Sequence, residues 1–180
     1  MERPRIATVW LEGCAGCHMS FLDNDEALLR ILPGIELADS PITDFKHFDF
    51  HNVDVGIIEG AVGNDEQLEI ARRLRQRCSM LVVWGDCAVF GGINTLRNGI
   101  APGELLKHCY VDTASTVEGV VPDSPTLPKL LEKVLPVNQV VKVDVYVPGC
   151  PPSAEAIAFS LTEILKGRIP VLPGHMIHFD

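Results

Sequence analysis

The chain has 180 residues, 47% of them hydrophobic, and a formal net charge of −9, which suits one domain with a real core and excludes a disordered chain. No apolar run reaches the ~18 residues a membrane helix requires, so no span is expected. The densest basic group, Arg72, Arg73, Arg75 and Arg77, has no aromatic residues interleaved and reads as a solvated helix face, not a nucleic-acid surface.

In chain order, 5–11, "RIATVWL", reads as a buried strand: short, apolar and β-branched. Residues 18–32 follow as a helix with Leu22, Leu28, Leu29 and Leu32 on its apolar side, then a weaker strand near 35–38. Segment 53–59, "VDVGIIE", is a clear strand; 65–77 is an amphipathic helix with Leu68, Ile70, Ala71 and Leu74 inward and Asp65 and Glu66 at its favourable N-terminal end. A strand at 79–84, a helix around 127–135, a strand at 141–147 and a helix at 153–166, capped by Ser153 after two prolines, complete the pattern. Strands alternating with helices predict an α/β fold: a flavodoxin-like open parallel sheet with helices on both faces, as a single domain over 1–180. Residues 86–122, rich in glycine and proline, show little periodicity and read as an irregular, partner-covered segment.

The opening "MERPRIATVW" lacks an apolar stretch before a small-residue cleavage site, so a cytoplasmic chain is expected. There, six cysteines are thiols or metal ligands rather than disulfides. Their positions are informative. Cys14 and Cys17 follow the first strand, Cys87 follows the strand at 79–84, and Cys150 follows the strand at 141–147. In a parallel sheet these strand ends share one edge, the edge where open α/β sheets bind ligands, so four thiols distant in sequence should converge. Gly13, Gly16, Gly85 and Gly149 flank them, leaving N–H groups free to point at sulfur. Cys78 precedes its strand and belongs at the opposite edge as an inert buried thiol; Cys109 falls in the irregular segment without a ligand role.

Three chemistries compete. A redox disulfide would use Cys14 and Cys17 and leave Cys87 and Cys150 unexplained. Structural zinc accepts four cysteines, usually as two short-spaced pairs in a domain lacking its own core. A four-cysteine iron-sulfur cluster suits one pair and two singles better, with zinc and disulfide kept as alternatives.

The segments "LEGCAGCHMS", "IIEGAV", "GDCAVFGG" and "PGCPPSAEAI" resemble, in this order, the small subunit of nickel-iron hydrogenases, in particular the short cytoplasmic type found in soluble NAD-reducing hydrogenases. The resemblance implies a flavodoxin-like fold and one [4Fe-4S] cluster held by Cys14, Cys17, Cys87 and Cys150. It also implies two kinds of partner: a large subunit carrying the nickel-iron centre, and diaphorase subunits with FMN, further iron-sulfur clusters and the NAD site. Longer members carry a C-terminal extra-cluster domain; here no cysteine follows Cys150, so one cluster is expected, with no ligand role for His175 or His178. A related family, the cluster subunit of NADH-quinone oxidoreductase, shares "PGCPP" but has adjacent cysteines at the first motif. The spacing Cys14-Ala15-Gly16-Cys17 favours the hydrogenase side.

The resemblance implies no catalytic residue in this chain, and the isolated chain is not expected to be active. Glu12 and Glu59, at strand ends on the cysteine edge, are secondary candidates for a proton path or an interface contact. His18 and Asp86 flank ligands and are candidates for tuning the site. The usual FMN phosphate loop after the first strand is replaced by "EGCAGC", so flavin is expected mainly in a partner. The alternative of another class is a zinc-binding scaffold without electron traffic.

Overall fold

The computed structural model describes residues 3–44 and 49–177; His178 lies outside the described residues. Five parallel strands, β1 (Arg5–Trp10), β2 (Glu36–Asp39), β3 (Val53–Glu59), β5 (Cys78–Trp84) and β7 (Val145–Val147), form one sheet in the order β2-β1-β3-β5-β7. This is the flavodoxin-like order, reversing direction between β1 and β3. A small antiparallel pair, β4 (Val62–Asn64) with β6 (Leu130–Leu135), lies outside it.

The central strands are buried on both faces, so they read as continuous Val, Ile and Leu runs rather than alternating ones. One face packs Ile6, Val55, Ile57, Val82 and Val145 against α1 (Gly16–Leu22), α2 (Glu26–Ile31) and α6 (Ala154–Leu165). The other packs Ala7, Val9, Ile58, Leu81 and Val83 against α3 (Asp65–Arg77) and α4 (Gly85–Phe90). Local chemistry sets the helix starts. Asn64 accepts the N–H of Gln67 to cap α3, and Ser153 accepts that of Ala156 to cap α6 as expected.

Four sequence expectations change. The single helix at 18–32 is two, because Asn24 bonds back to the Phe21 carbonyl and Asp25 takes a positive φ of 46°; Leu22, Leu29 and Leu32 are exposed, and Leu28 reaches the core. Residues 130–135 form a strand instead of a helix, paired with β4 after Pro125 and Pro128. The last strand starts at Val145, because the Asp144 carboxylate takes the Leu81 N–H that a longer ladder would have used. Residues 86–122 are largely helical: α4, a 3-10 stretch at Gly92–Gly99, and α5 (Pro102–Tyr110), which opens on a proline suited to a first turn. Among the described residues, no helix is long and apolar enough to cross a membrane.

Candidate functional site

The cysteine edge is built by three turns. After β1 the chain leaves the sheet by pairing Glu12 with Ala61, turns at Ala15 with φ 63°, and enters α1, so Cys14 lies in the turn and Cys17 in the first helical turn. Cys87 sits in the first turn of α4, directly after β5, and Cys150 follows β7. Cys14 and Cys150 are exposed, Cys87 is half-buried and Cys17 is buried.

Cys14, Cys17, Cys87 and Cys150 all lie in turns at this one edge of the parallel sheet. Burial pushes the Cys17 thiol up, and Glu59, Cys87, Cys14 and Cys150 each push it further. Cys87 is raised by burial first, then by Cys150 and Cys14. Thiolates so placed would repel one another, and a cationic centre bound among them would ease that repulsion. A single zinc ion needs its sulfurs about 2.3 Å from one point. Among the described residues, no group of three His, Cys, Asp or Glu is drawn together to hold one ion.

Side chains and backbone lock the turns to each other. Asp86 Oδ1 accepts the Gly149 N–H at 2.8 Å while the Asp86 N–H donates to the Gly149 carbonyl at 3.0 Å, joining the Cys87 and Cys150 turns. Ser20 Oγ donates to the Pro152 carbonyl at 2.6 Å, joining α1 to the Cys150 turn. The Cys17 thiol faces the Trp84 carbonyl at 3.6 Å. Two glycines make the space: a Cβ on Gly85 (φ 83°) would meet Cys17 Sγ at 2.3 Å, and one on Gly92 (φ 55°) would meet Cys87 Sγ at 2.8 Å.

Beneath the quartet, Glu59 ends β3 at 2% exposure. Its carboxylate accepts the N–H of Cys17 at 3.1 Å and of His18 at 2.9 Å, and bonds His18 Nδ1. His18 Nε2 meets Thr8 Oγ1 at 3.0 Å, and Thr8 meets Ser40 Oγ at 2.7 Å. The His18 ring stands edge-on to both Trp10 and Trp84.

The other glutamate faces elsewhere. Glu12 covers Gly63 and pairs with Arg97 at 3.6 Å, and Arg97 donates to the carbonyls of Gly63 and Leu131. Asn94 donates to the Glu12 carbonyl at 2.8 Å. These contacts pin the 3-10 stretch onto β4 and β6. Cys78 is buried at the start of β5, on the opposite edge; Cys109 is exposed on α5; His175 sits in a short turn at Gly174–Met176. Sequence reasoning missed Thr8, Ser40, Ser20 and Gly92. A hydroxyl in a strand or helix is an ordinary residue until its partners are known, and Gly92, the last residue of "GDCAVFGG", is given no role of its own in sequence reasoning.

Fold and site define the class: a flavodoxin-like α/β domain whose ligand edge is lined by thiols in place of a phosphate loop. The chain belongs to the family described as NADH ubiquinone oxidoreductase, 20 Kd subunit, whose pattern matches residues 14–164. Within it the chain aligns with hydrogenase subunits and is a subunit of an oxidoreductase of that kind. It is 38% identical over 179 residues to the NAD-reducing hydrogenase HoxS subunit delta of Cupriavidus necator, covering 98% of this chain and 85% of that one. Against a subunit of the F420-non-reducing hydrogenase of Methanothermobacter marburgensis it is 39% identical over 176 residues, covering 96% of this chain but only 57% of the longer relative. A crystal structure of an NAD+-reducing [NiFe]-hydrogenase in the H2-reduced state superposes with a TM-score of 0.95 at 40% identity, over 99% of this chain and 100% of that one. The [NiFeSe] hydrogenase of Desulfovibrio vulgaris Hildenborough, at 15% identity and a TM-score of 0.61 over 92% of this chain and 60% of its own, shares the fold.

Proposed function

We propose that this chain is the electron-transfer small subunit of a cytoplasmic nickel-iron hydrogenase, holding one [4Fe-4S] cluster on Cys14, Cys17, Cys87 and Cys150. The observation that carries this reading is the placement of four cysteines in three turns that follow β1, β5 and β7 at one edge of the parallel sheet. A cluster bound there would accept and return single electrons. The chain's own part is placement. Glu59 orients the first ligand turn, Asp86 and Gly149 lock the second to the third, and Gly85 and Gly92 leave room for sulfur. Resemblance to the NAD-reducing relatives supports two partners: a large subunit supplying electrons from hydrogen, and a flavin- and NAD-binding diaphorase receiving them. FMN belongs in that partner on this reading, since the turn after β1 is occupied by Cys14 and Cys17.

We place the large-subunit contact on residues 86–122. Phe90, Ile93, Leu96, Val117 and Val120 are all exposed there, Leu96 at 77% and Val117 at 89%, large apolar side chains that a partner surface would cover. Residues 1–180 then act as one domain with one cluster.

Cys87→Ala in the assembled complex is the direct test. Anaerobically purified complex should lose the iron and the EPR signal of one cluster, together with hydrogen-driven NAD reduction. Full iron content and unchanged activity overturn the assignment, and zinc at the quartet in colourless protein establishes the scaffold instead.

A further inference from the structure

The anchor beneath Cys17 does not stop at Glu59. Ser40, Thr8, His18 and Glu59 form an unbroken row from the end of β2 through β1 to the end of β3, with exposures of 0%, 4%, 0% and 2%. Ile6, Phe21, Ile35, Ile57 and Leu161 surround it. A row of polar groups in such surroundings is costly unless every member is bonded, and valine would fill the shape of Thr8 without that cost. The hydroxyls therefore need a role beyond packing. Among the described residues, neither Thr8 nor Ser40 bonds a cysteine.

Their reach is through the imidazole. A hydroxyl both donates and accepts, so Thr8 holds His18 Nε2 whichever way the proton lies, and Ser40 in turn fixes the Thr8 rotor. With Nε2 held, Nδ1 faces Glu59. The carboxylate is then kept in the one pose that receives the consecutive N–H groups of Cys17 and His18. Groups behind a metal ligand commonly orient it in this way.

We propose that Thr8 and Ser40 are positioning residues of the thiol site, acting through His18 and Glu59 to fix the backbone of Cys17 and so the direction of its sulfur, an inference that rests on the quartet holding an iron-sulfur cluster. The test uses the assembled complex carrying Thr8→Val or Thr8→Ser in this chain. The relevant EPR signal is the one that Cys87→Ala abolishes. Thr8→Val should change the g-values of that signal and speed loss of its iron to an anaerobic chelator about tenfold; Thr8→Ser should restore both. General loosening of the fold would not change the g-values of clusters still in place, nor be reversed by serine. If the Thr8→Val complex does not assemble, Ser40→Ala carries the test with a smaller change in the same direction. Parental g-values and iron loss in the assembled variant overturn the proposal, whereas a Cys87→Ala complex that keeps all its iron overturns the cluster reading instead.

Discussion

The two edges of the sheet are held by different chemistry. At the edge where the strands begin, ion pairs do the stitching: an exposed one between Arg5 and Glu36, and a part-buried one between Arg75 and Asp144, whose carboxylate also accepts the Leu81 N–H. At the edge where they end, the bonds are aimed at backbone: buried ones join Glu59 to Cys17 and His18 and Ser20 to Pro152, and a part-buried one joins Asp86 to Gly149. Solvated charges tolerate small displacements and are screened by salt; buried bonds to backbone fix positions to fractions of an ångström. Both edges hold the fold, but only the second also fixes the turns that carry Cys14, Cys17, Cys87 and Cys150.

That contrast can be broken at several points. The largest effect is expected for Gly85→Ala, which forces a Cβ to within 2.3 Å of Cys17 Sγ at a φ of 83°. Strain of about 2–3 kcal/mol should appear in chemical denaturation, and bound iron should be lost as well. Asp144→Asn comes next, at about 2 kcal/mol from a charge-assisted bond, with bound iron unchanged. Burial raises the Asp144 carboxyl, but the bonds from Leu81 and Arg75 outweigh it and leave it lowered. Its contribution is therefore complete above the ordinary value of 3.8 and disappears as pH falls through the lowered one. The parent should lose stability more steeply than the variant in that acid window, and equal slopes would remove Asp144 from the account. Ser20→Ala should cost about 1 kcal/mol and, unlike Asp144→Asn, weaken iron retention. Smallest in stability is Leu96→Ser: on an exposed site it should stay within about 0.5 kcal/mol, yet reduce co-purification with a tagged large subunit. Undiminished recovery of the complex would move the interface away from residues 86–122.

The central strands of the sheet were legible because β1, β3 and β5 are short, largely apolar runs, and the cysteine turns were legible because each comes after a sheet strand. Burial on both faces makes such runs conspicuous, and parallel topology gathers their ends. What was not legible was decided by pairing between distant segments. Residues 130–135 have no strand signature until β4 lies beside them. Strand β7 is short because one carboxylate replaces a ladder bond. Glu12 and Glu59 look equivalent in sequence, each at a strand end, but Arg97 engages one and the first ligand turn engages the other. Charge alone could not separate them.

The spread of the quartet along the chain also has a consequence for biogenesis. The turn that carries Cys150 takes its place at the shared edge only after β7 has been laid beside β5. A nascent polypeptide emerging from the ribosome can form β1, β3 and β5 long before it can offer a fourth sulfur. On the proposed function, delivery of a cluster to all four cysteines would wait until that last turn has emerged.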